Sequence, residues 1–137
     1  MSIKGIEQGR AAFAFEKVEE YVSKGPAKNN SEYCSYIKKM PSMIQVNGLG
    51  QTLAFFFSKG GVHRDIYNQV ADWAEKKYPE RFGDHMKGEQ AFVESVIHLG
   101  NQEYRLLTME VLALLNWMRR FVEGMVKEPE KKKADGE

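Results

Sequence analysis

Between Tyr104 and Met125, the apolar residues Tyr104, Leu107, Val111, Leu114, Met118, Phe121 and Met125 follow one another at alternating steps of three and four. Steps of two would mark a half-buried strand, whereas steps of three and four stack along one face of an α-helix. About six turns therefore share a single buried face. Leu106, Leu112, Leu115, Trp117 and Val122 widen the apolar arc beyond a narrow coiled-coil seam, which places this helix in the middle of a bundle with neighbours on more than one side. Asn101, after Gly100, is a candidate N-cap.

Helical spacing recurs elsewhere, and the fold class that follows is all-α: a compact bundle of about five to six helices with a long C-terminal one. A first helix fits Glu7 to Ser23, burying Ala11, Ala14, Phe15, Val18 and Tyr21 or Val22, and stops before Gly25-Pro26. A second fits Ser31 to Lys39, with Tyr33, Tyr36, Ile37 and Met40 on its apolar side. Pro41 lacks an amide and clashes one turn back in a helix interior, so it predicts a restart or a kink. Asn47-Gly48 predicts a stop, and Gly50 to Ser58 a further helix whose Leu53–Phe57 run buries against the final helix. Beyond Gly60-Gly61, Val62, Ile66, Val70 and Trp73 mark a helix up to Tyr78-Pro79, with Asp72 and Lys76 spaced for an i,i+4 ion pair. Glu80 to Gly88 reads as a loop, and Phe92, Val93, Val96 and Ile97 as a short helix ending near Gly100. Residues 1–127 form one predicted domain, and 128–137, without an apolar anchor, a disordered charged tail.

Composition narrows the functional classes. Of 137 residues, 42% are hydrophobic and 28% charged, which fits a folded globular chain. The longest apolar run, Leu53 to Phe57, is far short of a membrane span, and MSIKGIEQGR has no apolar signal core, so the expected setting is cytoplasmic, with no membrane partner. Cys34 is alone and reads as a small buried residue, and Asn29-Asn30-Ser31 reads as a helix cap rather than a glycosylation acceptor. Formal net charge is +1, with residues 1–60 at +3 and residues 61–100 at −2. That asymmetry permits nucleic-acid binding without requiring it.

The pattern points away from catalysis. His63, His85 and His98 are scattered over a loop start, a loop and a helix end, and no His, Cys or carboxylate repeats at ligand spacing, so no metal or cofactor is expected. Asn47-Gly48-Leu49-Gly50-Gln51 resembles a phosphate-cradling loop but lacks the preceding strand and the lysine. Asp65 with Asp72, and Glu103 with Glu110, read as carboxylates on solvated helix faces. Arg10, Lys17 and Lys24 recur seven apart on one helix face; with Lys38-Lys39 beside Tyr33 and Tyr36, and with Arg119-Arg120, they are the candidate nucleic-acid contacts, of a kind that grips backbone rather than reads bases. From pattern alone, a helical protein-interaction adaptor and an autonomous nonspecific nucleic-acid binder both stay open.

Three blocks narrow this further. RAAFAFEKV at Arg10–Val18, YCSYIKKMPSMIQVNGLGQTLAFFFSK at Tyr33–Lys59 and EYRLLTMEVLALLNWMRRFVEGM at Glu103–Met125 together cover 59 residues. They resemble the small helical subunit of the type III-B CRISPR RNA-guided interference complex, the small subunit of the Cmr module. The resemblance implies an all-helical protein without a catalytic role, whose copies stack as a minor filament beside the backbone subunits that grip the guide RNA. It implies contact with the large subunit and with guide and target RNA, and leaves target cleavage to the backbone subunit. By the same resemblance Pro41, Asn47, Gly48, Gly50 and Asn116, with Trp117 beside it, serve shape and packing. Lys38, Lys39, Arg119 and Arg120 are the basic positions of the matched blocks, and the helix carrying Arg10 and Lys17 is the remaining basic element.

Overall fold

A computed structural model describes residues 3–83 and 87–126, with side chains from residue 9 onward. Among the described residues there are seven α-helices: α1 (Ile3–Lys24), α2 (Asn30–Asn47), α3 (Leu49–Lys59), α4 (Gly61–Lys77), α5 (Pro79–Phe82), α6 (Gln90–Ile97) and α7 (Asn101–Met125), with a 3₁₀ turn at Ala27–Asn29. The all-α bundle with a long final helix is borne out, with one more helix than expected because the four-residue α5 lies in the segment read as a loop. Phe82 explains α5: it is fully buried against Phe92, 5.4 Å between ring centroids, and Pro79 starts the turn with the φ a first helical position needs. The tail at 128–137 and His85 lie outside the described residues.

α7 packs chiefly against α1 and α2, while α3 bridges α2, α4 and α6. The Leu53–Phe57 run therefore does not bury mainly against α7, as its apolar character suggested. Leu53 and Phe56 enter the common core from α3, whereas Phe55 stays 40% exposed. The long-helix periodicity translates into burial at the centre of the face, where Leu107, Val111, Leu114, Leu115, Met118 and Val122 are all 2% exposed or less; Tyr104, Phe121 and Met125 are only partly buried, and Leu106, expected to widen the apolar arc, is 56% exposed because no helix arrives opposite it. At about 25 cal/mol per Å² of apolar surface removed from water, this face is the largest single contribution α7 makes to folding.

Helix ends follow backbone chemistry. Gly48, between α2 and α3, has φ 92°, a conformation that side chains with a Cβ rarely adopt, and its N–H closes on the Ile44 carbonyl at 2.8 Å. Gly60, at φ 72°, makes the same break between α3 and α4. Gly50 has a different reason. It lies buried under Tyr104 of α7, whose hydroxyl accepts the Gly50 N–H at 2.8 Å.

Three local expectations are corrected. Of the two outcomes expected at Pro41, the restart is excluded: α2 continues through it from Asn30 to Asn47, because Met40 and Ile44 on either side are buried and hold the helix together across the missing backbone hydrogen bond. Phe15 is 48% exposed, and Phe13 takes the core place instead, 4.8 Å from the Trp73 ring. Gly100, not Asn101, occupies the cap position of α7, with no side-chain hydrogen bond.

Candidate nucleic-acid interface

The predicted basic line on α1 breaks up when the helix meets its neighbours. Arg10 turns inward: its Nε donates to Glu110 Oε2 at 2.9 Å and its Nη2 to Glu110 Oε1 at 3.0 Å, with the two side chains only 12% and 9% exposed. Trp73 Nε1 donates to the same carboxylate at 2.8 Å, and Lys77 Nζ approaches it to 3.9 Å. Burial by itself would raise the Glu110 pKa, but the Arg10 and Trp73 hydrogen bonds and the Arg10 and Lys77 charges outweigh it and hold the carboxyl below its ordinary value. Glu110 is thus a buried junction of α1, α4 and α7, not the solvated carboxylate its charged neighbours suggested. No spacing rule would have found it, since its partners lie 100 and 37 positions away.

Lys17 reaches Asp72 at 3.6 Å and lies over the Phe13 ring at 5.3 Å, so Asp72 is placed against α1 and pairs there in place of the i,i+4 partner Lys76 that its spacing predicted. Lys24 is exposed in the last turn of α1. Of the three-residue line, then, Arg10 is held inside and Lys17 is tethered at the rim.

Lys38 and Lys39 are both exposed on α2. Adjacent residues of a helix point about 100° apart, so the two diverge, and Lys39 shares a face with Tyr36 one turn before it. On α7, Arg119 is half-buried and contacts Asn116 at 3.5 Å and Glu123 at 3.8 Å, while Arg120 is exposed. Asn116 is exposed, and half-buried Trp117 stacks on Phe121 at 5.8 Å, with Phe15 meeting Phe121 edge-on at 5.3 Å. Asn47 ends α2 at the surface and Pro41 is half-buried within it.

Two clusters escaped the sequence reading. Tyr33 stacks on Tyr21 at 4.0 Å; its hydroxyl donates to Gln69 at 2.8 Å, and Tyr21 donates to Asp65 at 2.6 Å, which removes Tyr33 from the surface. Tyr36 instead stacks on His63 at 3.9 Å, and Phe55 and Phe56 meet the same imidazole edge-on at 5.5 and 4.9 Å. His63 is half-buried in the first turn of α4, not in a loop. Burial, with the charge of Lys59, lowers its pKa against the opposing pull of Glu32. Among the described residues no three His, Cys, Asp or Glu side chains group to hold a metal ion, and no helix is long and apolar enough to cross a membrane.

Residues 6–125 match the family model described as CRISPR-associated protein (Cas_Cmr5). This chain belongs to the Cmr5 family. The resemblance carried by the three sequence blocks is borne out, and the match extends through the intervening α4–α6 region that those blocks left uncovered. A similar curated protein is the CRISPR system Cmr subunit Cmr5 of Thermus thermophilus, 28% identical over 116 residues that span 84% of this chain and 90% of that one. A similar solved structure is the crystal structure of a CRISPR-associated Cmr5 family protein from the same organism, with a TM-score of 0.72 at 28% identity, covering 88% of this chain and 97% of that one. The Cmr5 architecture is therefore shared along nearly the whole length of the chain.

Proposed function

We propose that this Cmr5-family chain is a non-catalytic architectural subunit of a cytoplasmic type III-B CRISPR effector complex. Its copies stack as a minor filament beside the backbone and large subunits, and its basic side chains steady guide and target RNA through sequence-independent backbone contacts. The family match over residues 6–125 carries the assignment to the complex. The stacking rests on the surface. Head-to-tail association of like copies needs two different complementary patches on each molecule, unlike a closed twofold dimer.

Exposed apolar side chains occur on two sets of elements. Leu106 at 56% and Met109 at 59% lie on the outer side of α7, where they continue toward Trp117, Phe121 and the exposed Phe15 of α1. Leu106 also borders a cavity of about 380 Å³ between α5 and α7, walled by Tyr78, Phe82 and Leu99 and rimmed by the Arg81–Glu103 pair at 2.6 Å. Val46 at 79% and Ile97 at 62%, near the ends of α2 and α6, belong to the second set. Exposed large apolar side chains on two separate parts of the surface are what two different association patches require.

Exposed Lys24, Lys38, Lys39 and Arg120 supply charge without a base-reading motif, which suits an RNA whose sequence is read by pairing. Native mass measurement of the complex purified through a tag on this chain tests the proposal. The expected result is a particle containing several copies of the chain, other effector subunits and a guide RNA. A defined complex without RNA would support a plain protein adaptor instead, and recovery of the chain alone would refute the subunit role.

A further inference from the structure

The stacked pair of Tyr36 and His63 joins two helices that are distant in sequence, and Phe55 from a third helix meets the same imidazole edge-on. All three residues keep solvent exposure: Phe55 is exposed, and Tyr36 and His63 are half-buried. Two lysines flank them. Lys59 sets its ammonium 5.7 Å over the Phe55 ring, and exposed Lys39 follows Tyr36 by one turn on the same face of α2. Glu32, one turn before Tyr36, is the acidic neighbour on that face, so the immediate surroundings carry a net positive charge.

The grouping differs from the two apolar patches. Those expose mainly aliphatic side chains, Leu106 and Met109 in one and Val46 and Ile97 in the other, as protein partners require, whereas this one presents aromatic and imidazole rings framed by cations. Proteins hold unpaired nucleotides with that combination: a ring on which any base can stack, and ammonium groups that reach the flanking phosphates. The depressed His63 pKa is consistent with it, because a neutral imidazole keeps an uncharged stacking face.

We infer that Tyr36, His63 and Phe55, flanked by Lys39 and Lys59, form a stacking platform for an unpaired base of single-stranded RNA. The inference deepens the proposed RNA-steadying role and rests on it for the biological source of the strand. It adds a contact of a different kind: the platform engages a base that is not in a duplex, while exposed Lys24, Lys38 and Arg120 follow phosphates.

The test uses the full-length chain and a single-stranded RNA oligonucleotide carrying 4-thiouridine, irradiated at low salt, with a fully paired duplex of the same sequence as the comparison. Mass mapping should place crosslinks within residues 32–39 and 55–63 for the single strand and not for the duplex. Phe55→Ala and His63→Ala should weaken single-strand affinity about five- to 100-fold each, the range for loss of one stacked base, with little change in duplex affinity. Tyr36→Phe and His63→Phe, which keep the rings, should bind as the parent does. Circular dichroism on each variant separates loss of the platform from loss of fold, and the crosslink map of the parent chain, single strand against duplex, preserves the test if an alanine variant unfolds.

Crosslinks mapping elsewhere, no single-strand binding by the folded chain, or equal losses for single strand and duplex would each overturn the platform. So would alanine variants that disrupt assembly with neighbouring subunits while leaving crosslinking intact, since the cluster would then be a protein contact. If the chain assembles with its complex but shows no platform crosslinks, the inference fails and the subunit role stands. Platform crosslinks by a chain that never assembles give the reverse.

Discussion

Replacing Arg10 by Met keeps most of the buried stem and removes the guanidinium, leaving Glu110 with the Trp73 N–H at 2.8 Å and Lys77 at 3.9 Å. Breaking a buried ion pair from one side costs about 3–5 kcal/mol, because the remaining charge is stranded away from water. The half-exposed Lys77 moderates this, so the expected loss at pH 7 is about 3 kcal/mol. For a domain of this size that corresponds to a fall in Tm of roughly 10 °C.

The pH dependence carries the reasoning. In the parent, Glu110 has a folded pKa below its ordinary value of 4.5, so its contribution is fully present above that value and is lost as pH falls through the folded pKa. In Arg10→Met, burial dominates and the folded pKa moves up instead, so its penalty is greatest at neutral pH and shrinks as the carboxyl takes up a proton. Urea unfolding followed by far-ultraviolet circular dichroism at pH 7 and near pH 4 reads both effects. The deficit should fall from about 3 kcal/mol to below about 1 kcal/mol between them. Adding Glu110→Gln, which removes the charge but keeps an acceptor for Trp73, should recover most of the loss at pH 7. A deficit under about 0.5 kcal/mol at pH 7, the size of an ordinary surface effect, or one that does not change with pH, would refute the view of Glu110 as a buried charge held by Arg10.

Gly48→Ala should cost about 1–2 kcal/mol in the same unfolding assay, since φ 92° disfavours a Cβ and the added carbon meets the Tyr104 hydroxyl at 3.4 Å; an unchanged midpoint would mean the α2–α3 break tolerates another backbone path. Pro41→Ala should stabilise the chain by about 1 kcal/mol or more by restoring an amide donor to the Ile37 carbonyl inside α2, and a loss of stability would show that the proline ring contributes more by packing than it costs the helix. Lys38→Ala with Lys39→Ala should reduce retention of target RNA in the assembled complex while leaving Tm within about 1 °C, because exposed lysines contribute little to folding. An equal loss of soluble protein and of RNA would instead assign them a packing role.

The inward turn of Arg10 bears on which parts of this chain can be read without a structure. The apolar rhythm of α7 and the glycine-marked breaks at Gly48 and Gly60 act within a few residues of themselves, through helix periodicity and backbone φ, and the sequence alone determined them. The lone buried cysteine and the family resemblance of the three blocks were legible in the same way. Charge was not. Arg10 and Lys17 look alike on a helical projection, as do Glu103 and Glu110, yet one of each is drawn inward and the other stays at the rim or in solvent.

What separates them is which helix arrives opposite, and that depends on how α1, α4 and α7 cross. The same holds for Tyr33 and Tyr36, three positions apart on α2: one is sealed against Tyr21 and Gln69, and the other is left at the surface on His63. Sequence determines where helices form because hydrogen bonds and periodicity are local. Only the tertiary structure decides which polar and aromatic side chains are held inside and which remain to meet a partner, because desolvation and pairing depend on neighbours tens of residues away.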